Sequence, residues 1–532
     1  MEVPVEPEML FNYEADWRQY AFPEDQVHLA SECELQEKYS TVELTPDTIL
    51  DAAGMPVLSD GHTATLNTQN DMTLIYGETG SKKSRVLISV LIALLSLAGE
   101  SMIIPDIKGE LSSGILAPKI RGILEKRKYN IRVLNFRTLN GDGFNILGNA
   151  YEQYKAGNRE EAMVQLHHII NFLAGFYKGS SSDPIWEKTA KEYLMAVAVL
   201  IFEMCDDPEK INLLSLASYT SKQSCGNLER MEPLLDQNDN ILVMLRSILS
   251  EPEKTKMSTL ATVSSFFSEL IINKKLLKML STATFELDEL YKEKTALFLV
   301  LPDETDAYGP VAGLILSQIS TCLVSKAYEY GGQLPRRVNY ICDEFCNYYV
   351  PGMARNISAH RSRNIRWYLV CQGKKQLERA YPREFGTILN NCTSIYFMGS
   401  SDSDLLEELS ERAGCTNASE DGRPQRLISV ENLRHIRKGW EYSEVYYASG
   451  PLTCVVLLPD IDQYAFLKEF TTCDPLPVHH YKSLKIYTSE EMLNDVYAMR
   501  QAFQKKTSGR LILSESERAL ASRYERLFQD NN

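Results

Sequence analysis

The sequence has no excess of basic residues and no segment of low complexity. Lysine and arginine together number 56 against 71 aspartates and glutamates, which gives a formal net charge of −15. A protein that binds nucleic acid over its whole surface needs basic side chains to neutralise the phosphates, so this class is excluded and any polyanion site must be local. The hydrophobic share of 44% and the charged share of 24% are those of an ordinary globular protein.

Metal-binding and disulfide patterns are also missing. The eleven cysteines include no C-x-x-C pair and have no histidines at metal-ligand spacing. Neither a zinc knuckle nor a disulfide framework is therefore predicted, and a reducing cytoplasm fits best. Cys342 and Cys346 are four residues apart, and we interpret them as small buried side chains rather than as a metal or redox pair.

Long hydrophobic runs are scarce. The first thirty residues are acidic and contain several prolines, without the basic and apolar regions of a signal peptide. The longest apolar run, 86–98, is too short to span a bilayer. We therefore expect that the chain does not cross a membrane by itself.

What the sequence does contain is a regular alternation of short β-branched or aromatic runs with helix-like stretches. This alternation predicts an α/β fold with a mostly parallel sheet and helices on both faces. The predicted strands are 73–76, 102–105, 131–136, 296–301, 338–342, 367–371, 394–398 and 453–458.

The pattern changes in the middle of the chain to long amphipathic stretches, such as 165–176, 185–202 and 242–249. A chain of 532 residues is long enough for about two to four domains. We predict a sheet domain interrupted by an all-α domain. The predicted bounds are an N-terminal segment at 1–65, the sheet domain at 66–150 and 290–480, the inserted all-α domain at 151–289 and a C-terminal helical tail at 481–532.

A phosphate-binding loop is predicted between the first of these strands and the apolar run that follows it. Successive backbone N–H groups and the positive end of a helix surround phosphate oxygens in such a loop, while a lysine and a hydroxyl reach the terminal phosphates and Mg²⁺. Lys83 and Ser84 occupy the positions of that lysine and hydroxyl. The loop residues are Gly77, Glu78, Thr79, Gly80, Ser81, Lys82, Lys83 and Ser84.

The loop departs from the pattern G-x-x-x-x-G-K-[ST] at one position. Lys82 stands where a glycine normally precedes the lysine. Glycine lets the backbone approach the phosphate without a Cβ, so Lys82 adds positive charge but is expected to distort the turn. Weak or absent hydrolysis is one expected consequence.

Two later strand ends hold the predicted partners of the loop. The strand 338–342 ends in Asp343 and Glu344, as in a Walker B element, where one carboxylate holds Mg²⁺ and the other polarises the attacking water. The strand 367–371 ends in Gln372, whose amide suits a γ-phosphate sensor. A basic segment surrounds this second strand and is either a solvated face or the source of an arginine finger or polyanion contact. Its members are Arg355, Arg361, Arg363, Arg366, Lys374, Lys375, Arg379 and Arg383.

The segment 105–111, P-D-I-K-G-E-L, is similar to the D-P-K-G-E-L segment of the conjugative coupling proteins, the TraG and TraD family of type IV secretion ATPases. Other matches to that family occur in the same order along residues 70–465. They are 145–147, 185–186, 299–302, 343–345, 361–365, 372–377, Asn391 and 426–433. The ordered co-occurrence of these segments is stronger than any single motif.

The resemblance implies a RecA-like P-loop domain interrupted by an all-α domain, and a hexameric ring that uses ATP and Mg²⁺. Carried over by position, Lys83 contacts the β- and γ-phosphates, Ser84 ligates Mg²⁺, Asp343 holds the water shell of the metal and Glu344 activates water. Arg361 is the family's candidate finger, reaching into a neighbouring subunit's site, and Gln372 is the sensor.

The implied partners are single-stranded DNA, the relaxase or relaxosome or an exported protein, and the channel ATPases and inner-membrane components of a type IV secretion system. Proteins of this family normally begin with transmembrane helices, and no such helix is read here. We therefore expect a cytoplasmic location at the membrane face, through a missing anchor or a partner.

Two other functions remain open from the sequence. One is an FtsK-like or HerA-like DNA translocase, although the K-G-E-L segment and the long helical insertion favour coupling proteins. The other is a receptor that binds nucleotide without hydrolysing it and uses the helical domain only to dock cargo. ATP turnover with and without single-stranded DNA distinguishes the motor from the receptor.

Overall fold

The computed structural model describes residues 28–175, 184–234, 240–416, 425–508 and 513–528. These residues divide into two compact units. The first unit comprises residues 28–138 and 286–477, and the second comprises residues 139–285 and 478–528. Residues 1–27 of the predicted N-terminal segment and the end of the predicted C-terminal tail lie outside the described residues.

The first unit contains a nine-stranded sheet with the order β14-β13-β10-β4-β9-β8-β5-β7-β6. The seven strands from β10 to β6 are parallel, and the β13–β14 hairpin pairs antiparallel with β10 at one edge. The strands of the described residues are β1 (Ser40–Glu43), β2 (Met55–Ser59), β3 (Thr63–Asn67), β4 (Met72–Tyr76), β5 (Ser101–Ile107), β6 (Asn130–Asn135), β7 (Thr295–Leu301), β8 (Val338–Cys342), β9 (Ile365–Cys371), β10 (Cys392–Phe397), β11 (Cys415–Thr416), β12 (Gln425–Arg426), β13 (Tyr442–Ser449) and β14 (Leu452–Pro459).

The central strands are buried along their whole length, as parallel strands covered by helices on both faces must be. Every residue of β4, β7, β8 and β9 is buried. All eight strands predicted from sequence are present in this sheet, so the α/β fold class is confirmed. The missed ninth strand is β13, which pairs with β14 through a turn at Gly450, where φ is +60°.

Helices cover the sheet and make up the second unit. The helices of the described residues are α1 (Glu32–Lys38), α2 (Ser89–Ala98), α3 (Ala117–Lys126), α4 (Gly148–Lys155), α5 (Arg159–Ala174), α6 (Pro184–Met204), α7 (Leu213–Ala217), α8 (Lys222–Met231), α9 (Asn240–Leu249), α10 (Glu253–Ile272), α11 (Lys274–Met279), α12 (Glu289–Lys292), α13 (Gly309–Glu329), α14 (Met353–His360), α15 (Lys374–Ala380), α16 (Phe385–Asn391), α17 (Ser403–Ala413), α18 (Val430–Arg434), α19 (Ser489–Thr507) and α20 (Glu515–Phe528).

The second unit is helical throughout its described residues, with α4 to α11 joined by α19 and α20. The helices predicted at 185–202 and 242–249 correspond to α6 and α9, and the one predicted at 165–176 corresponds to α5 up to Ala174. Helix α19 packs against α6 and α8, and Asn227 of α8 donates to Ser489 of α19 (3.1 Å). The four predicted domain ranges stay a prediction, because the two units do not test whether each range folds independently.

A small antiparallel sheet, with the order β1-β3-β2, precedes β4 and was not predicted. It belongs to the first unit, and the hydroxyl of Tyr39, just before β1, is 2.7 Å from that of Tyr447 in β13. Both side chains are buried, so residues 28–67 extend the hydrophobic core of the first unit.

One helical segment of the described residues, Asp306–Glu329, is long and apolar enough to cross a bilayer by length and composition. It contains α13, and 72% of its most apolar window is buried inside the protein. Ala312, Ile315 and Leu316 have no exposed surface.

Candidate functional site

The predicted site residues lie at one edge of the nine-stranded sheet. The carboxyl ends of parallel strands share an edge, and β9 lies between β4 and β8 in the strand order. The phosphate loop follows β4, Asp343 and Glu344 follow β8, and Gln372 follows β9. The order of the strands therefore brings three segments that are distant in sequence to neighbouring positions.

Backbone hydrogen bonds attach the start of the loop to the strands on either side. Gly77 N donates to Cys371 O at the end of β9 (3.1 Å), and Glu78 N donates to Gly399 O just after β10 (2.9 Å). A Cβ on Gly77 would lie 2.5 Å from Ser81 Oγ and 2.8 Å from Lys83 Cδ, so a larger residue there would displace both side chains. The loop then enters a wide first helical turn, in which Ser89 N donates to Ser84 O, before α2 begins.

Lys83 and Ser84 face the centre of the site. The buried Lys83 ammonium donates to Gly77 O (2.6 Å) and Glu78 O (3.1 Å), which holds it inside the curl of the loop. Ser84 Oγ donates to Asp343 Oδ2 at 3.3 Å. The hydroxyl predicted to bind the metal and the carboxylate predicted to hold its water shell therefore touch each other.

The second acid and the predicted sensor form another pair. Gln372 Nε2 donates to Glu344 Oε2 at 2.9 Å, and Glu344 N donates to Asp343 Oδ1 at 2.9 Å. Glu344 adopts a left-handed backbone conformation, with φ +47° and ψ +47°. Such a conformation is costly for a residue with a Cβ and clusters at functional sites. The turn after β8 thus aims both acids at one place.

Burial shifts the proton affinity of the acids at this edge. Desolvation, followed by repulsion from Glu344, raises the pKa of Asp343 to about 6, while the Lys83 ammonium opposes that rise. Burial also raises the pKa of Asp106, which lies in the segment 105–111. The Asp106 carboxylate accepts from Leu111 N (3.2 Å) and Ser112 N (2.8 Å), so it shapes the turn after β5 rather than facing solvent.

A cavity of about 180 Å³ opens beside the acids. It lies at the carboxyl ends of several strands and contains both Glu344 and Gln372. Its other lining residues are Thr79, Ile107, Lys108, Leu301, Pro302, Asp303, Thr305, Asp306, Tyr308, Gly309 and Asn347. The cavity is lined by both apolar and polar side chains, and Glu344 and Gln372 present polar groups to it.

Lys82 adopts the left-handed conformation that explains why glycine is usual at this position. Its φ is +64°, and its ammonium donates to Gly439 O (2.8 Å) and Trp440 O (3.4 Å). The same ammonium lies 5.1 Å from the centre of the Trp440 ring. The side chain thus extends away from the curl of the loop and joins it to the segment that precedes β13.

Arg361 is not brought together with the other predicted residues. It precedes β9, at the amino edge of the sheet, is 61% exposed and lies 3.8 Å from Asp71 just before β4. Within one chain it is therefore at the opposite end of the strands from Lys83. This placement fits a residue that acts on another molecule better than one that acts on its own loop.

The basic segment around β9 is not one charged face. Arg366 is fully buried and donates to Glu100 Oε2 (2.6 Å), Asn339 Oδ1 (2.8 Å) and Ala53 O (2.9 Å). Arg337 also contacts Glu100, at 3.2 Å. These contacts join the amino ends of β5, β8 and β9, so Arg366 is a structural residue and not a candidate for polyanion binding.

The comparison with protein families gives a match over residues 31–432 to the sequence model for type IV secretory system conjugative DNA transfer. The chain belongs to this family. It is thus a conjugative coupling protein, as the ordered motifs predicted. The comparison with curated protein sequences gave no match.

Solved structures of another coupling protein have the same fold. The plasmid coupling protein TrwB in complex with the ATP analogue ADPNP is 17% identical, with a TM-score of 0.55, and the match covers 85% of this chain and 96% of that one. TrwB in complex with ADP and Mg²⁺ is 14% identical, with a TM-score of 0.51, covering 86% and 94%. The trigonal form of TrwB with sulphate is 16% identical, with a TM-score of 0.55, covering 85% and 97%.

The contacts between this coupling protein's loop and the segment before β13 were missed by sequence reasoning. Lys438 Nζ lies 2.7 Å from Glu78 Oε1, in addition to the Lys82 bonds. On the other side of the loop, Arg85 donates to both carboxylate oxygens of Asp460, at 2.7 and 2.5 Å. No local pattern in the K-G-W segment at 438–440 indicates these contacts.

Proposed function

We propose that this chain is the ATP-driven motor of a conjugative type IV secretion system, which couples the relaxosome to the channel and moves single-stranded DNA or a protein cargo. The observation that carries this proposal is the 3.3 Å contact between Ser84 Oγ and Asp343 Oδ2. It brings the loop that would bind phosphate against the acid that would hold the metal. The TrwB complexes with ADPNP and with ADP and Mg²⁺ support nucleotide binding by this chain.

The donor set fits Mg²⁺, which prefers hard oxygen ligands and retains several waters. Ser84 offers a hydroxyl and Asp343 a carboxylate. Within the described residues, neither side chain forms a hydrogen bond with a thiol or an imidazole. The metal would neutralise charge on the phosphates. Lys83, already held by two carbonyls in the loop, would contact the β- and γ-phosphates with the same ammonium.

Glu344 and Gln372 would act on the attacking water. Gln372 Nε2 holds Glu344 Oε2, and we assign Oε1 to accept the proton of that water. When nucleotide is bound, the Gln372 amide would donate its hydrogen bond to a γ-phosphate oxygen instead of to the Glu344 carboxylate. Gln372 would thereby sense the terminal phosphate. The cavity beside the pair gives these groups a place to meet the phosphate chain.

The ring and its partners complete the proposal. Arg361 lies at the amino edge, away from the loop of its own chain, which supports a finger that reaches a neighbouring subunit. A hexamer on DNA or at the membrane face would supply that neighbour. The all-α unit would bind the relaxase or another exported protein. The motor itself would bind the channel ATPases and the inner-membrane components of the secretion system.

ATP turnover measured with and without single-stranded DNA tests the proposal. We expect DNA to stimulate turnover, Lys83→Ala to abolish nucleotide binding, and Glu344→Gln to bind nucleotide without hydrolysing it, since an amide cannot accept the proton of water. Glu344→Asp is the matched control that keeps the charge. Normal hydrolysis by Glu344→Gln would show that another group is the base.

A second candidate is a receptor that binds nucleotide without turning it over, and the left-handed conformation of Lys82 favours it. Lys82→Gly removes the Cβ at that position. If the strained turn limits catalysis, Lys82→Gly will hydrolyse ATP faster than the wild type. Tight ADPNP binding with no turnover in both proteins would support the receptor.

A further inference from the structure

We propose that Trp440 is the stacking platform for the purine base of the bound nucleotide, an inference that rests on the proposed nucleotide site. Trp440 is 89% exposed. Tryptophan is highly buried on average in folded proteins, whereas this exposed indole lies beside the phosphate loop, in contact with Lys82. A planar base offers the complementary surface, because every base has a π-face that stacks on an aromatic ring.

The position of the ring follows from two contacts with the loop. The Lys82 ammonium lies 5.1 Å from the ring centre and donates to the carbonyls of Gly439 and Trp440. Lys438, two residues before the indole, pairs with Glu78 at 2.7 Å. The segment 438–440 is therefore held against the loop at both of its ends, and the indole cannot drift far from the phosphate site.

The direction of the nucleotide points to the same flank. Glu344 and Gln372, which would face the γ-phosphate, follow β8 and β9. Trp440 immediately precedes β13, and the strand order is β13-β10-β4-β9-β8, with the phosphate loop after β4 between the two groups. In an extended nucleoside triphosphate the base lies at the opposite end from the γ-phosphate. A γ-phosphate at the β8 and β9 flank therefore places the base toward β13, where Trp440 is exposed.

The platform also gives Lys82 a role. Its ammonium covers part of one face of the indole by a cation–π contact, which fixes the ring and leaves the remaining surface for a base. Stacking reads the shape of a base rather than its hydrogen-bonding edge. The site is thus expected to accept adenine and guanine nucleotides with similar affinity.

The test compares the full-length wild type with Trp440→Ala, Trp440→Phe and Tyr328→Ala by calorimetry. Tyr328 is the matched control, because it is an aromatic residue of the same unit that is 85% exposed and lies near the end of α13. Each protein is titrated with ADPNP and Mg²⁺, with the guanine analogue GDPNP and Mg²⁺, and with tripolyphosphate and Mg²⁺. Circular dichroism confirms that the variants are folded.

We expect Trp440→Ala to weaken ADPNP and GDPNP binding by about 5- to 150-fold, the range of a single base stack, and to leave tripolyphosphate binding unchanged. Trp440→Phe should retain most of the affinity, and Tyr328→Ala all of it. ADPNP should also quench the tryptophan emission of the wild type but not of Trp440→Phe.

An unchanged ADPNP affinity in Trp440→Ala would overturn the platform. An equal loss for ADPNP and tripolyphosphate would also overturn it, because the indole would then support only the loop. These outcomes are distinct from failure of the proposed function, in which the wild type itself would bind neither ligand.

Discussion

Replacing Lys82 separates two opposing effects at the altered position of the phosphate loop. The left-handed backbone, with φ +64°, favours glycine, whereas the ammonium contacts with Gly439 O and the Trp440 ring favour lysine. Lys82→Ala removes the contacts and keeps the strain. Lys82→Gly removes both, so the difference in stability between the two variants reports the strain, reduced by the greater freedom of glycine in the unfolded chain.

The magnitudes follow from the structure. A left-handed conformation costs a residue with a Cβ about 1–2 kcal/mol, and the greater freedom of glycine in the unfolded chain offsets about 0.5–1 kcal/mol of that. Lys82→Gly should therefore be more stable than Lys82→Ala by about 0.5–1 kcal/mol. The lost ammonium contacts, on a side chain that is 22% exposed, should make Lys82→Ala less stable than the wild type by about 1–2 kcal/mol.

The assay is urea unfolding of the three proteins, followed by tryptophan fluorescence, with a matched pair at Glu407 in α17. Glu407 is exposed on a helix, where alanine is favoured over glycine by about 1 kcal/mol. The glycine variant should therefore be the more stable one at position 82, and the alanine variant the more stable one at position 407. Alanine equal to or better than glycine at position 82 would refute the argument that backbone strain, and not side-chain charge, distinguishes this loop.

Two other predictions concern the pH dependence linked to Asp343 and the action of Arg361 between subunits. The pKa of Asp343, raised by burial to about 6, means that the folded state binds this proton more tightly than the unfolded state, so the stability linked to Asp343 is lost as the pH rises from about 4 through 6. In urea unfolding without Mg²⁺, Asp343→Asn should be more stable than the wild type at pH 8 and equally stable below pH 4. Mg²⁺-dependent nucleotide binding by the wild type should weaken below about pH 6. A difference in stability between the two proteins that does not vary with pH would contradict this prediction. Arg361→Ala should lose turnover only in the assembled state, and mixing it with Lys83→Ala subunits should restore part of it, which an Arg361 acting within its own chain would not allow.

The sequence predicted the sheet well because its central strands are short buried runs. Parallel strands covered on both faces are nearly continuous in apolar residues, as in β7 and β9. Strands β2 and β3 form a local hairpin around residues 60–62 and β1 pairs with β3, but these strands are too short to show the apolar runs by which the central strands were predicted. The position of this small sheet beside β13 depends on contacts distant in sequence, such as Tyr39 with Tyr447, which no local pattern shows.

The candidate site was predictable only in part for a similar reason. Lys83, Ser84, Asp343, Glu344 and Gln372 follow strands, and strand ends are visible in the sequence; their contacts depend on the strand order, which is not. The burial of a charged residue is also invisible to a local pattern. That is why a fully buried arginine in β9 was grouped with exposed basic residues before and after it.

Strand β9 connects the two edges of the sheet that the proposed mechanism uses. It begins four residues after Arg361 and ends just before Gln372, and its seven residues are buried throughout. At about 3.3 Å per residue it spans roughly 20 Å. A buried central strand is one of the stiffest connections that a fold offers, since its neighbours hold it on both sides. In the proposed mechanism Gln372 senses the γ-phosphate and Arg361 reaches the next subunit. A shift that the nucleotide imposes on the end of β9 would then move the whole strand as a rigid body and displace Arg361 with it. Communication around the ring would then need no mobile loop.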